Sequence, residues 1–263
     1  MNDSLPLISV IIPTYNAAHF IPEAFASVCA QAYRPLEVLI IDDGSTDHTP
    51  NVVAGLPPSD GVTLRCIHQA NAGPSAARNR GIQEASGALI AFLDVDDLYP
   101  PGKLAAQAAR LLSEPALSFV TGRIQYQLLP GSDPLDNPMP NPNDVRPFVN
   151  LGAALMRRET FTDAHVGLFA DDLRSSEDVD WFFRAMEKGV RFAVMRDVTL
   201  LYRRHGENMT RLAGQKAMAL SFLRALQRSV ERRRAPDGTV TPLPGWHDYF
   251  DDDLKALGDP FHV

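Results

Sequence analysis

Three carboxylates stand close together in the stretch FLDVDDLY, residues 92–99. Asp94, Asp96 and Asp97 directly follow an apolar run that is typical of a buried strand. Side chains two residues apart on a strand point to the same side, so Asp94 and Asp96 should face one common space. Two carboxylates and added phosphate oxygens form the hard oxygen shell that Mg²⁺ or Mn²⁺ prefers. Because so short a motif recurs by accident, the alternative is a polar turn after the strand, with Asp97 as the cap of the element that follows.

Other polar clusters offer partners for a ligand. In DDGSTD, residues 42–47, Gly44 permits a tight turn, and Asp43 could accept hydrogen bonds from a nucleobase or a ribose. In NAGPSAARN, residues 71–79, Arg78 lies in the first turns of a predicted helix, where anions bind. It could reach a phosphate or a base, or be exposed on a solvated face. His205 is a candidate third contact to a metal or diphosphate, or a structural histidine.

The segment EDVDWFFRAMEKG, residues 177–189, has helical periodicity. The predicted buried stripe consists of Val179, Phe182, Phe183 and Met186. On the helical wheel Glu177 points nearly opposite that stripe, while Asp178 lies on its flank in the first turn. A partly sheltered carboxylate is a candidate general base. The alternative is a negative charge that complements the helix dipole.

The elements that must position these residues alternate along the first half of the chain. Apolar runs predict strands at 7–14, 36–42, 62–68 and 88–94. Helical patterns occupy 21–31, a short stretch after Asp47, 74–86 and 101–113. Strands that are apolar on both faces, with helices between them, predict a parallel sheet covered on both sides. Its strands all end at one edge, where PTYN (13–16), DDGSTD and DVDD (94–97) would meet and bind a ligand.

The second half is less regular. Predicted strands lie at 117–129, 191–197 and 199–205, with ordered structure resuming at 152–161 and a long helix at 212–234. The segment 130–147 holds six prolines and is expected to form no regular element. We therefore predict one domain at 1–234, with a regular half at 1–115 and a less regular half at 116–234. Residues 235–263 form a C-terminal tail.

Composition excludes some classes of protein. The 263 residues are 45% hydrophobic and 22% charged, with a net charge of −7, so a nucleic-acid partner is not expected. Two cysteines, Cys29 and Cys66, cannot form a disulfide framework. The N-terminal sequence has no signal-peptide pattern, and no apolar run is long enough to span a bilayer. We expect a cytoplasmic protein, and the sequence leaves peripheral membrane contact and homo-oligomers open.

Five motifs in order resemble the family 2 glycosyltransferases. They are SVIIPTYN (9–16), EVLIIDDGSTD (37–47), NAGPSAARNRGI (71–82), GALIAFLDVDDLYPP (87–101) and SEDVDWFFR (176–184). The later YRRHGENMT (202–210) is similar to a further segment of that family. The resemblance covers about residues 7–212. The second arginine of RNRG, Arg80, has no role that the resemblance assigns.

The resemblance implies a GT-A fold, an α/β architecture with a mostly parallel sheet. It implies a Rossmann-like nucleotide-sugar half at 1–115 and an acceptor half at 116–234. It implies an inverting transfer from a nucleotide diphosphate sugar, with UDP preferred and Mn²⁺ or Mg²⁺ as cofactor. The acceptor would be a saccharide or lipid-linked hydroxyl, in the synthesis of a glycan or cell-surface polysaccharide. By position, Asp94 would contact the ribose or the metal, Asp96 would bind the metal, and Asp178 would take the acceptor's proton. The nucleoside would be held by Pro13, Tyr15, Asp43 and Arg78, with Tyr15 against the base.

Other classes share parts of this pattern. A haloacid-dehalogenase-type phosphohydrolase has a similar D-x-D motif, but usually on the first strand, whereas here it follows the fourth. A sugar nucleotidyltransferase would need a Gly-rich, basic loop after the first strand, and PTYN is not such a loop. A nucleotide-sugar-binding module without catalysis is the third alternative, and the presence of Asp96 and Asp178 argues against it.

Overall fold

A mixed α/β architecture with one central sheet is seen in the computed structural model, which describes residues 5–129, 145–147, 150–173, 175–206, 208 and 214–252. The strands are β1 (Ile8–Thr14), β2 (Leu36–Asp42), β3 (Val62–His68), β4 (Leu89–Phe92), β5 (Phe119–Leu128), β6 (Val145–Pro147), β7 (Leu155–Arg157) and β8 (Phe192–Arg204). The helices are α1 (Ile21–Cys29), α2 (Thr49–Ala54), α3 (Pro74–Glu84), α4 (Lys103–Ser113), α5 (Glu177–Glu187) and α6 (Gly214–Arg232). Short 3₁₀ turns occupy Leu151–Ala153, Arg158–Phe161 and Trp246–Tyr249.

The strands of the first half form the predicted parallel sheet, in the order β3-β2-β1-β4. β7 then pairs antiparallel with β4 and β5, and β8 runs parallel to β5 on its other side. Both predicted halves of the chain thus contribute strands to one sheet. This arrangement confirms the predicted α/β class with a mostly parallel central sheet.

Two hydrophobic cores cover the two faces of the sheet. Alternate residues of β1 divide between them: Ile8, Val10 and Ile12 pack in the core under α1 and α4, and Ile11 packs in the core under α3 and α5. Strands buried on both faces need apolar residues at consecutive positions, and for this reason β1 and β2 have near-continuous apolar sequences.

The second half departs from the predictions in two places. The two predicted short strands at 191–197 and 199–205 are one continuous strand, β8, because it pairs along the whole length of β5. Arg196 and Asp197 are exposed, and the ladder continues past them through a shift in register. β6 lies inside the proline-rich segment that was expected to lack regular structure, and residues 130–144 lie outside the described part.

Part of the predicted C-terminal tail, around residues 249–251, packs against one end of the sheet. Phe250 is buried, and the Tyr249 ring stacks on Phe192 with 3.8 Å between ring centroids. Asp251 accepts a hydrogen bond from Arg110 at 2.9 Å. No helix in the described ranges is both long and apolar enough to cross a membrane.

Candidate active site

The ends of β1, β2, β3 and β4 lie side by side at the edge where the polar clusters were predicted to converge. The register pairs Thr14 with Asp42 and Asp42 with His68, so the loops after β1, β2 and β3 leave the sheet side by side. β4 ends next to β1, and Leu93 donates its backbone N–H to Ile11 at 3.0 Å. The sheet topology therefore places PTYN, DDGSTD and DVDD at one edge.

Asp43 organises the loop that leads into α3. Its carboxylate accepts backbone N–H bonds from Ala72 at 2.9 Å and Gly73 at 2.8 Å, and a side-chain bond from Gln69 at 2.7 Å. Gly44, at φ +78°, allows this approach, since an added Cβ would lie 2.9 Å from the backbone nitrogen of Asn71. Asp43 is thus a buried anchor of the loop in this structure.

The two predicted nucleoside contacts from the first strand lie beside this loop. Pro13 is the next-to-last residue of β1 and is partly buried. Tyr15 follows the strand with 52% of its surface exposed, one of the few large apolar side chains that the described chain leaves open to solvent. The tyrosine ring is therefore accessible to a planar group at this edge.

Arg78 lies at the centre of the site instead of on a solvated face. It is buried, and its Nη2 lies 2.7 Å from Oδ1 of Asp94, while its Nη1 pairs with Glu177. One guanidinium therefore joins α3, the D-x-D loop and the first residue of α5. Arg80, whose role was open, is exposed and pairs with Glu84 one turn along α3 at 2.8 Å.

The three carboxylates of DVDD have three different environments. Asp94 is 40% exposed beside Arg78. Oδ2 of Asp96 lies 3.0 Å from His205 Nε2 and accepts a bond from Asn208 at 2.9 Å. Asp97 is buried and accepts the backbone N–H of Arg203 at 2.9 Å, so it fastens the loop to β8 and does not cap a helix.

The pKa values of Asp96 and Asp97 are raised, mainly by burial. Burial and the negative charge of Asp94 raise the pKa of Asp96, and the neighbouring His205 opposes that rise. Burial, with the charges of Asp96 and Asp94, raises the pKa of Asp97 well above its usual range. A cation near Asp94 and Asp96 would relieve this repulsion.

The loop is also held from β8 by an arginine that the sequence did not single out. Arg203 is buried, its Nε donates to the backbone oxygen of Asp96, and its Nη1 pairs with Glu23 of α1. Asn208 bonds Asp96, and it also accepts the backbone N–H of His205 at 2.6 Å. These residues restrict the positions that Asp96 and His205 can take.

The residues present suit a divalent cation that takes part of its shell from a ligand. No group of three or more His, Cys, Asp or Glu side chains in the described ranges is arranged as a complete metal site. The predicted third ligand, His205, contacts Asp96 directly. Asp94 and Asp96 still offer two partly exposed carboxylates, the hard donors that Mg²⁺ and Mn²⁺ share with phosphate oxygens.

Helix α5 is rotated relative to the predicted wheel. Glu177 was expected to point away from the buried stripe but is itself buried, because it pairs with Arg78. The buried residues of the helix are Glu177, Asp180, Trp181, Phe182, Ala185 and Met186. Val179 and Phe183 are only partly buried. The ion pair with Arg78 on α3 outweighs the preference of Val179 and Phe183 for full burial. A helical wheel of one segment cannot include a partner from another helix.

Asp178 lies beside this ion pair and remains partly exposed. Burial and the negative charge of Glu177 raise its pKa to about 6, against the opposing effect of Arg78. Its Oδ1 accepts the backbone N–H of Val179 at 2.8 Å. The site therefore holds a carboxylate more basic than an ordinary aspartate, next to the helix that carries Arg78.

Comparison with known proteins identifies the family of the chain. The sequence pattern described as "Glycosyl transferase family 2" matches residues 9–168, more than half of the chain, so the chain belongs to glycosyl transferase family 2. It is 27% identical over 228 residues to the uncharacterized glycosyltransferase EpsJ of Bacillus subtilis, covering 81% of this chain and 66% of EpsJ. The chain spans less than two thirds of the length of this and other relatives.

Two solved structures share the fold. TarS 1–349 of S. aureus in complex with UDP-GlcNAc superposes with a TM-score of 0.66 at 21% identity, over 85% of this chain and 65% of TarS. The mannosyltransferase PcManGT from Pyrobaculum calidifontis, in complex with GDP-Man and Mn²⁺, has a TM-score of 0.65 at 20% identity, over 90% of this chain and 67% of PcManGT. The predicted GT-A fold is confirmed.

Proposed function

We propose that this chain transfers a sugar from a nucleotide diphosphate sugar to a hydroxyl group of a saccharide or lipid-linked acceptor, with inversion at the anomeric carbon. One observation carries the proposal. Arg78 joins Asp94, on the predicted donor-binding loop, to Glu177, which directly precedes the candidate base Asp178. The loop proposed to bind the donor and the residue proposed to deprotonate the acceptor would therefore both lie next to Arg78.

On the donor side, the exposed ring of Tyr15 would stack on the base beside Pro13, and the loop anchored by Asp43 would form the other wall. Asp94 and Asp96 would hold Mn²⁺ or Mg²⁺, and Arg203 and Asn208 keep Asp96 in place. When bound, the cation would neutralise charge on the departing diphosphate. His205 would act mainly through Asp96.

On the acceptor side, Asp178 would accept the hydroxyl proton at its carboxylate. With a pKa of about 6 it is ionised at neutral pH, yet it is a stronger base than an ordinary aspartate. A single base without a carboxylate nucleophile suffices for one displacement, which inverts the anomeric centre. Glu177 would serve as a positioning residue, because its carboxylate is engaged by Arg78.

A thermal-shift comparison of nucleotide sugars tests the class of enzyme and the identity of the donor together. Purified protein would be heated with UDP-GlcNAc, UDP-glucose or GDP-mannose, each with Mn²⁺ or with EDTA. We expect a UDP-sugar with Mn²⁺ to raise the Tm, and EDTA to remove the shift. Stabilisation by GDP-mannose alone would overturn the preference for UDP.

Two further outcomes would reject the activity itself. Stabilisation by beryllofluoride without any response to nucleotide sugars would favour the phosphohydrolase. Binding of a donor with no release of nucleotide diphosphate, across a panel of saccharide and lipid-linked acceptors, would favour a binding module.

A further inference from the structure

Helix α6 is packed with its small and polar side toward the protein and its apolar side toward solvent. Ala225 and Ser229 are fully buried, with 0% exposure. Leu220, Phe222 and Leu223 are 50%, 46% and 55% exposed. A helix on the surface of a protein in water normally has the opposite arrangement, because burial of large apolar side chains stabilises the fold.

Polar contacts hold this orientation. Ser221 donates its hydroxyl to the backbone oxygen of Ser175 at 2.6 Å, just before α5. Arg232 pairs with Asp180 at 2.9 Å and with Glu187 at 2.6 Å, both on α5. Because these bonds fasten the inner side of α6, its leucines and phenylalanine are free for another surface.

The outer apolar residues form a strip along one side of the helix. At 100° per residue, Leu220, Leu223 and Phe222 mark a sector of about 160°. Ala219, exposed, and Leu226 and Val230, partly exposed, fill the part between Phe222 and Leu223, and the polar Lys216 and Gln227 lie between Leu223 and Leu220. Other large apolar side chains that are exposed in the described ranges are scattered, at Leu5, Tyr15, Leu112 and Val240. A patch concentrated on one helix indicates a contact surface.

Charge identifies the kind of partner. The chain carries a net charge of −7, yet α6 has four basic residues, Lys216, Arg224, Arg228 and Arg232, and one acid, Glu231. Lys216 and Arg224 are exposed on either side of Leu220, and neither has an ion-pair partner among the described residues. Glu231 accepts a bond from Gln227 at 2.8 Å. Two unpaired cations beside an apolar strip repel a second copy of the same strip and attract anionic phosphate groups.

We propose that α6 is an in-plane docking helix for an anionic lipid surface. The strip of Leu220, Phe222 and Leu223 would enter the boundary between headgroups and acyl chains, with Lys216 and Arg224 at the phosphates. The inference does not depend on the activity proposed above.

Vesicle co-sedimentation of the full chain tests the proposal. Wild type should bind vesicles of phosphatidylcholine with phosphatidylglycerol, more weakly at high salt, and bind pure phosphatidylcholine poorly. The double change Leu220→Ser and Leu223→Ser should weaken binding by about tenfold or more, since two apolar side chains lose their burial. The control Leu112→Ser removes an equally exposed leucine on α4 and should bind as wild type.

Two more measurements make the result decisive. The double change Lys216→Glu and Arg224→Glu leaves the apolar strip intact and should remove the preference for anionic vesicles. Phe222→Trp should show blue-shifted emission with anionic vesicles and quenching by brominated lipids. Equal sedimentation of wild type and both double variants would overturn the proposal. So would a stable wild-type dimer that ignores vesicles and becomes monomeric in the leucine variant, because a second copy would then cover the strip.

Discussion

The guanidinium of Arg78 lies 2.7 Å from the carboxylate of Asp94 and binds Glu177 with its other terminal nitrogen. The side chain of Arg78, on α3, thus connects the loop after β4 to the first turn of α5. Glu177 and Arg78 are both buried, so each depends on the other for its charge to be compensated. The candidate base Asp178 follows Glu177 directly, and its position depends on this pair.

Replacing Arg78 by methionine should destabilise the fold and abolish transfer. The change leaves the buried Glu177 without a partner, for which we expect a loss of about 3 kcal/mol in the free energy of unfolding. Urea unfolding and product formation measure the two effects. The control Arg80→Met removes an exposed pair with Glu84 and should cost less than about 0.5 kcal/mol. Equal effects of the two changes would contradict a central role for Arg78.

Replacing Asp178 by asparagine should separate binding from chemistry. We expect the donor-dependent thermal shift to persist while turnover falls by about 10²- to 10⁴-fold, the usual contribution of a general base. Asp172→Asn is the control, because Asp172 is an exposed carboxylate nearby whose partner is Arg228 on α6. Unchanged turnover in the Asp178 variant would remove this residue as the base.

The rate of transfer should depend on pH through Asp178. A base works when it is ionised, and burial and Glu177 raise its pKa to about 6. We therefore expect kcat/KM to be constant above about pH 7 and to fall roughly tenfold per unit as pH drops below about 6. Donor affinity, measured by thermal shift over the same range, shows whether binding causes the fall. A profile that stays flat down to pH 5 would disprove this role.

The same shift predicts how Asp178 affects stability. Its folded pKa is above the unfolded value, so the ionised side chain is disfavoured in the fold, and its contribution to stability falls as pH rises through about 4 to 6. Asp178→Asn should therefore raise the Tm at pH 7.5 more than at pH 5. A variant with a lower Tm at pH 7.5 would show that Asp178 instead stabilises the native site.

A buried lysine outside the site should give the protein a second pH dependence. Lys103 is 2% exposed, its Nζ donates to Gln107 at 2.8 Å and to the backbone oxygen of Ala154 at 3.2 Å, and burial lowers its pKa well below 10.5. The unfolded chain then binds more protons, so stability rises with pH below 10.5 by at most about 1.4 kcal/mol per unit. Lys103→Met should flatten this slope in urea unfolding at pH values just below 10.5.

The control for that slope is Lys188→Met, which removes an exposed lysine at the end of α5. Its slope should match that of the wild type. If the Lys103 variant keeps the wild-type slope as well, the lysine is charged and compensated in the fold, and the lowered pKa is wrong.

Local sequence patterns were sufficient for most of the first half of the fold. The apolar runs predicted β1, β2 and β3 to within one residue. β1 and β2 are covered on both faces, and few other sequences are compatible with that position, whereas β3 is an edge strand without a fully buried residue. The convergence of PTYN, DDGSTD and DVDD followed from the parallel connection of those strands alone. The motifs also identified the family, which the comparisons confirm.

Contacts between distant segments were beyond those patterns. Glu177 and Arg78 are 99 residues apart in the sequence. Only the packing of α3 against α5 brings them together, and their buried ion pair then determines which side of α5 faces the core, in place of the predicted apolar stripe. Arg203 and Asn208 support Asp96 across more than 100 residues. Both belong to YRRHGENMT, a segment that resembled the family without assigning this role to either residue. α6 has an amphipathic sequence, but which side faces the protein was decided by Arg232 pairing with Asp180 and Glu187. The periodicity of one segment shows which of its side chains favour burial. The side of a helix that is actually buried also depends on partners from distant segments, which only the tertiary structure supplies.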